Sequence, residues 1–448
     1  MKHAERHLAG IVCSLAFAAF AIPAFAQTYP RTAVSSKGLD TNTCQVTLPC
    51  RSLTAALAHT AASGEIIVLD SAGYGGTLID KSVSITAADG IYAGVTVGAT
   101  GGFVINGPNI QVLLKGFVIN YASGTPTAID IQQAGTVRLE NLQISGFAGA
   151  GAGVGIDDNS STPDSHLLLK NVTVRNGDIG LRANGATTAK WVLAENVLIE
   201  SLDRCVVVND GIELVLRNSN VWTCNTGIDA RNTAGATTGN SMNVNLDRTN
   251  MSLALDTIVG INDSTRVLSI VVNDSLMNRS GGIRVNANNG ASRVRLVRST
   301  FSRVNTVLEM IGTASGGSQV TVAGSTITGG GAGIFMNGVT GSVHISDSSI
   351  TGCAGDALSF RGNTFPSIVA ITHSTIEGNT RGIVLDSGAL VTLGGSRVVN
   401  NHGVGITRAA GSTGTLLTSA GDNFVSGNGY DTIPATPDTT PDSVVAPY

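Results

Sequence analysis

The chain has 448 residues, 56 of them Gly, with only 4% aromatic and 13% charged residues and a formal net charge of −4 at pH 7. This composition is too apolar for a disordered chain and lacks the triplet glycine of collagen, and a weakly acidic chain without basic runs is a poor nucleic-acid binder. Abundant Val, Ile, Ser, Thr, Asn and Gly suit short strands joined by tight turns.

Residues 1–26 read as an export leader. Lys2 and Arg6 give a basic start, residues 11–21 an apolar run, and Ala24-Phe25-Ala26 a cleavage site. The run is too short to span a membrane, no other segment is apolar enough to do so, and Cys13 within it lacks the small-residue context of lipid attachment. The expected protein is exported, either secreted or periplasmic. Without Lys2, Arg6 and Glu5 it carries 25 basic and 30 acidic residues, a net charge of 25 − 30 = −5.

Residues 27–64 are expected to form an N-terminal cap. Cys44 and Cys50 enclose a five-residue loop, and in an oxidising compartment they are expected to pair. Ser52 is placed to N-cap a short helix running to residue 62, with Leu53, Ala56 and Leu57 on one face to cover the first coil. Cys205, Cys224 and Cys353 are expected as small buried residues.

From residue 65 to 430 the chain repeats itself. "VTVAGSTITGGGAGIFMNG", "VHISDSSITGCAGDALSF" and "VAITHSTIEGNTRGIVLD" are three successive versions of one phrase. An apolar anchor recurs at Ile119, Ile144, Val174, Ile199, Val221, Met251, Met277, Phe301, Ile327, Ile350, Ile376, Val398 and Phe424, on average about every 25 residues. Seven residues before each anchor stands Val112, Val137, Leu167, Val192 and so on to Val391; five before stands Leu114, Leu139, Leu169, Ala194 and so on to Leu393. Both columns are wholly apolar and two residues apart, the period of a strand. A second strand follows each anchor, near Ile156, Leu181, Val206, Ile228, Ile261, Ile283, Ile334, Leu358, Ile383 and Ile406. A Ser/Thr column (Ser219, Thr249, Ser275 and onward to Ser396) suits stacked hydroxyl bonding. An Asn-rich column (Asn159, Asn184, Asn209, Asn286, Asn337, with Asp386) suits turn capping. Residues 431–448 form a Pro/Thr/Asp tail with no core pattern, expected to be flexible.

Short strands whose equivalent residues stack in columns describe a parallel β-solenoid. The Leu-x-x-Leu-x-Leu spacing of leucine-rich repeats is missing, and a propeller blade is longer. The columns resemble the right-handed parallel β-helix of the pectate-lyase-like superfamily. The stretch from "CQVTLPCRSLTAALAHTAASGEIIVLDSAGYGG" onward resembles secreted bacterial β-helix repeat proteins. The resemblance implies an all-β, single-domain, right-handed parallel β-helix with a short N-terminal capping helix. It leaves chemistry open, because that superfamily hosts lyases, hydrolases, epimerases and adhesins.

Candidate sites lie in the outward columns. Four before the anchor, Lys115, Glu140, Lys170, Glu195, Arg217 and Asp247 alternate in sign. After the second-strand apolar residue stand Asp157, Arg182, Val207, Asp229, Asn262, Arg284 and Glu309. One reading is a charged groove for an acidic sugar, with Arg182 or Arg284 acting on it and the aspartates holding calcium. The other is a ladder of ion pairs that keeps like charges off neighbouring strands. Regular alternation favours the ladder, since calcium needs several carboxylates converging on one ion. The family's polygalacturonase-like pairing fails: Asp157-Asp158 and His402-Gly403 stand ten rungs apart, roughly 48 Å. The Arg-Ile-Lys, Trp-Ile-Asp-His and Arg-x-Pro-x-x-Arg patterns are missing. Trp191 stands in an otherwise polar outward column between His166 and Glu213, beside Leu168, Leu193 and Val215, where a flat ring can stack on a sugar.

The expected function is a non-catalytic exported scaffold, monomeric and without cofactor or metal, presenting a long face to a polysaccharide or cell-surface glycan. The alternative is a divergent polysaccharide lyase or glycoside hydrolase, for which calcium would be the cofactor.

Overall fold

A computed structural model describes residues 28–433, apart from 99–100, 124–126, 148–152, 186–188, 234–240, 314–316, 362–366, 386–388 and 409–415. The expected export leader, Asp386 and the expected tail beyond residue 433 lie outside the described residues. Among the described residues one helix occurs, Leu53–His59, and the remaining regular structure is β.

The apolar columns build the fold. Sixteen strands, from Tyr29–Val34 to Leu416–Ser419, stack as one parallel sheet that forms the first face of every coil. Val112, Val137, Leu167 and Val192 are direct register partners, and the column continues to Val391 and Leu417. The neighbouring column reaches further back, from Leu114 through Ile85 to Ile66. The described members of both columns from Ile66 to Leu393 are buried. Alternation within each strand sends their neighbours outward, so one face of every strand is core and the other is surface.

A second sheet of 26 strands carries the other two faces. It is continuous because four twelve-residue strands, Thr173–Asn184, Leu198–Asn209, Thr300–Ile311 and Thr326–Asn337, run from the anchor strand into the next face. The anchors form the second face in unbroken register from Ile119 to Val398. The final anchor differs from expectation. Val398 pairs with Val425, and Phe424 points outward, 53% exposed, beneath the Arg397 guanidinium. A slip of one residue reverses the face a side chain occupies. On the third face Ile258, not Ile261, sits between Ile228 and Ile283. "DTIVGIN" is apolar at three of its positions, so alternation alone does not choose among them. Val259 consequently takes the outward place expected for Asn262.

Polar columns satisfy the corners. The Ser/Thr column bonds differently from a hydroxyl stack: from Thr249 onward each backbone N–H donates to the Oγ one rung on, as Ser275 does to Ser299 at 3.1 Å and Ser348 to Ser374 at 3.2 Å. Asn423 closes the series by accepting from Ser396 N–H at 2.8 Å. The Asn column is a side-chain ladder in place of turn caps, with Asn209 donating to Asn184 and Asn184 to Asn159. It does not extend to Asn286 and Asn337, which are separated by Ile311.

The N-terminal end is covered as expected, with three differences. Ser52 Oγ accepts from Ala55 N–H at 3.2 Å, and Leu53, Ala56 and Leu57 are buried. The helix stops at His59, however, because buried Thr60 turns into a strand and spends its hydroxyl on Ala56 O. That strand, Thr60–Val68, starts before residue 65, and Tyr29–Val34 already pairs with it, so the sheet starts within the expected cap. At the far end the strand Tyr430–Ile433 runs three residues into the expected tail.

Cys44 and Cys50 form the expected disulfide. Cys205 and Cys224, expected as separate small residues, form a second one with Cα atoms 5.9 Å apart. They lie on successive coils, so a sequence separation of 19 becomes one rung in space. Cys353 is a buried free thiol, which burial pushes up to about 11. Closing a loop of that length removes denatured-state entropy worth about 3 kcal/mol. The Cys205→Ser, Cys224→Ser double variant should therefore lose about 3 kcal/mol in denaturant unfolding. An unchanged midpoint would contradict a stapling role.

Candidate functional site

The first face carries Trp191. The strands Ser165–Lys170, Lys190–Glu195 and Ile212–Arg217 align His166, Trp191 and Glu213 as register partners, as expected. Trp191 is 42% exposed, and its ring stacks on His166 with centroids 6.2 Å apart and planes inclined by 13°. Leu168, Leu193 and Val215 form a half-buried strip two residues along the same strands. A flat, exposed aromatic surface beside an apolar strip can take the C–H face of a sugar.

The other predicted residues lie on the third face and do not join this group. Asp157 and Arg182 are partners on adjacent strands. Arg182 donates Nε to Asp157 Oδ1 at 2.8 Å and Nη2 to Oδ2 at 2.5 Å, a bidentate pair. Asp229 lies two rungs beyond Arg182, across Val207. It accepts both Nε and Nη2 of Arg231, at 2.8 and 2.9 Å, and Arg204 Nη1 approaches it at 3.5 Å. Arg284 is two rungs further, across Val259, and bonds Glu309 at 2.8 Å with Asp256 at 3.9 Å. Bonds to Asp157, Asp229 and Glu309 raise the pKa of Arg182, Arg231 and Arg284 respectively, which holds these guanidiniums protonated.

Arg182, Arg204 and Arg231 border a hollow of about 320 Å³ together with Asn184, Asn209, Ile179 and Val207. Sequence reasoning missed Arg204 and Arg231. Arg231 follows Asp229 by two residues on one strand, so alternation could have placed it on the same face. Arg204 lies where a long strand turns the corner, and no period fixes its direction there.

The alternating column four before the anchor keeps its register but is not the expected ladder of ion pairs. Lys115, Glu140, Lys170, Glu195, Arg217 and Asp247 are successive partners. Among the described residues only Arg217–Asp247 closes to ion-pair distance, at 3.4 Å. The long side chains there are part-exposed and solvated, where a bridge is worth little. No group of three His, Cys, Asp or Glu side chains is placed to hold a metal ion among the described residues. No helix among them is long and apolar enough to cross a membrane.

A buried ion pair lies behind the third face. Lys190 and Asp158 have side chains 0% and 3% exposed and meet at 2.9 Å. Lys190 Nζ also donates to Asp158 O and Asn184 O, so its three N–H bonds are all satisfied. Burial pushes the Asp158 carboxyl up and the Lys190 amine down, each restrained by the other's charge. No sequence signal joins residues 32 positions apart in this way. Lys190→Met alone should destabilise the fold by about 3–5 kcal/mol, because it strands a buried carboxylate. Adding Asp158→Leu should recover most of that loss in denaturant melts; a double variant no more stable than the single one would contradict this.

Residues 308–420 match the family described as right handed beta helix region. No curated protein matches the chain. Among solved structures the chain is similar to pectate lyase Pel9A, at 11% identity over 92% of this chain and 82% of that one, with a TM-score of 0.26. It is also similar to a rhamnogalacturonan lyase, at 11% identity over 91% and 90% of the two chains, with a TM-score of 0.17. The family match and the strand register make the fold a right-handed parallel β-helix.

Proposed function

We propose that this chain is an exported, non-catalytic β-helix scaffold that acts as a monomer and presents its first face to a polysaccharide or cell-surface glycan. The observation that carries the reading is the pairing of the third-face charges. Arg182 with Asp157, Arg231 with Asp229, Arg284 with Glu309 and Arg381 with Asp356 each form a hydrogen-bonded ion pair. A lyase needs an unprotonated, unengaged base to take the proton beside a uronate carboxyl. Arg182, Arg231 and Arg284 are held in the charged form instead, and their carboxylates are occupied. The exposed Trp191–His166 stack supplies the surface on which a sugar ring would lie. Two disulfides among the described residues support export to an oxidising compartment.

The test is to incubate residues 27–448 with acidic and neutral polysaccharides, with and without calcium, while following reducing ends and unsaturated products. The expected outcome is retention on at least one glycan in affinity electrophoresis, with no cleavage. Trp191→Ala should weaken that retention about tenfold, a loss of about 1.4 kcal/mol, whereas the same change at Trp222, an exposed indole on the second-face strand Asn220–Trp222, should not. Cleavage of any polymer would overturn the non-catalytic reading in favour of a divergent lyase or hydrolase. Retention untouched by Trp191→Ala would overturn the assignment of the face.

A further inference from the structure

We propose that the third face holds a second binding site, independent of the Trp191 surface: the hollow between Arg182, Arg204 and Arg231 takes the tetrahedral oxyanion of a sulfate or phosphate ester. The three guanidiniums come from three successive coils, on the strands Thr173–Asn184, Leu198–Asn209 and Thr226–Asn232. They border one hollow of about 320 Å³, and no carboxylate lines it. The balancing acids lie underneath, with Asp157 5% and Asp229 2% exposed. The arginine side chains remain 30%, 34% and 47% exposed. The rim that meets solvent is therefore positive, although two of its three charges are neutralised from below.

The buried acids also fix the donors in place. A guanidinium has five N–H bonds, and Arg182 and Arg231 each spend two on a carboxylate, which leaves about three apiece. Arg204 spends at most one, at 3.5 Å. Holding the forks from beneath removes much of the rotamer entropy that an anion would otherwise have to freeze. The Cys205–Cys224 disulfide ties the residue next to Arg204 to the coil that leads into Asp229 and Arg231.

Val207 makes the room. It interrupts a column that is charged on both sides, Arg182 before it and Asp229 after it. With Ile179 and Val154 it forms a small apolar cluster separate from the main core, and Val207 and Ile179 line the hollow. A longer residue at 207 would fill the space. An apolar floor beneath a cationic rim suits a ring-bearing ester better than a bare inorganic ion.

The number and spread of donors choose the oxyanion. A planar carboxylate has two oxygens and is matched by a single fork. A sulfate or phosphate ester offers three equivalent oxygens, enough acceptors for the unspent N–H bonds of three guanidiniums that border one hollow. Asp130, the rung neighbour of Asp157, does not line the hollow, and its carboxylate accepts from Gln132 at 2.7 Å.

Three ligands that differ only in the charged group test this: glucose 6-sulfate, glucose 6-phosphate and glucuronate, titrated calorimetrically into the whole exported chain at fixed low salt. At least one ester should bind at least tenfold more tightly than glucuronate, and preference between the two esters identifies the natural source. Arg204→Gln should reduce ester binding about tenfold with little effect on folding, since that side chain has a single long contact. Val207→Glu, which removes no ion pair and puts a carboxylate into the hollow, should abolish it. Trp191→Ala should leave it unchanged, so failure here and failure of the glycan-face reading are distinguishable. Glucuronate binding as tightly as the esters, no ester binding, or ester binding insensitive to both Arg204→Gln and Val207→Glu would each overturn the proposal.

Discussion

Everything in this molecule depends on parallel strands stacking in strict register, because no coil can bury its own apolar residues. One coil presents two or three inward side chains per face, far too few to offset the entropy of ordering some 25 residues. Placed between two identical neighbours, the same side chains become fully enclosed. Val192 touches its equivalents Leu167 and Leu214 along the axis and becomes core. The requirement is collective, which is why the apolar columns tolerate Val, Leu, Ile or Ala but no polar residue over most of their length.

Register also creates the surface. Because each residue repeats at one rung spacing, a charge in an outward column always faces its equivalents above and below. Like charges would repel there, and apart from Asp130 beside Asp157 the third face sets opposite charges side by side, as in Asp157–Arg182 and Arg284–Glu309. The Asp229 rung is arranged differently. Its carboxylate is held by Arg231 from its own strand and approached by Arg204 from the preceding coil, leaving Val207 as an uncharged gap. The hollow is a consequence of that interruption. Lys190 and Asp158 represent the costly version of the same pairing, closed away from water, where two charges remain only because three acceptors meet the ammonium.

The straight parts of this fold were legible in the sequence and the corners were not. A period of two is unambiguous along a strand, so the columns through Val112 and Leu114, the outward place of Trp191 and the pairing of Arg182 with Asp157 follow from counting. At a corner the chain leaves that period, and a short insertion changes which residue faces inward. Val425 rather than Phe424 takes the inward place for that reason, whereas Ile258 and Ile261 share one strand whose three apolar residues leave the inward position open to pattern alone. The Cys205–Cys224 disulfide and the reach of Arg204 lie at the same kind of corner. The alternating column from Lys115 to Asp247 shows a different limit: its register follows from counting, yet exposed flexible side chains need not close into bridges.

Coils held by register alone should be interchangeable units, and deleting one of them whole shows whether they are. Residues 320–342 make one complete coil without a charged side chain, so removing them lets Val343 take the place of Val320 beside Val294. Removing residues 320–330 alone takes out part of a coil and breaks every column at once. Circular dichroism and denaturant unfolding of the two deletions should show a folded, cooperative β-protein for the whole-coil deletion and loss of structure for the partial one. Equal tolerance of both, or equal collapse, would contradict the account.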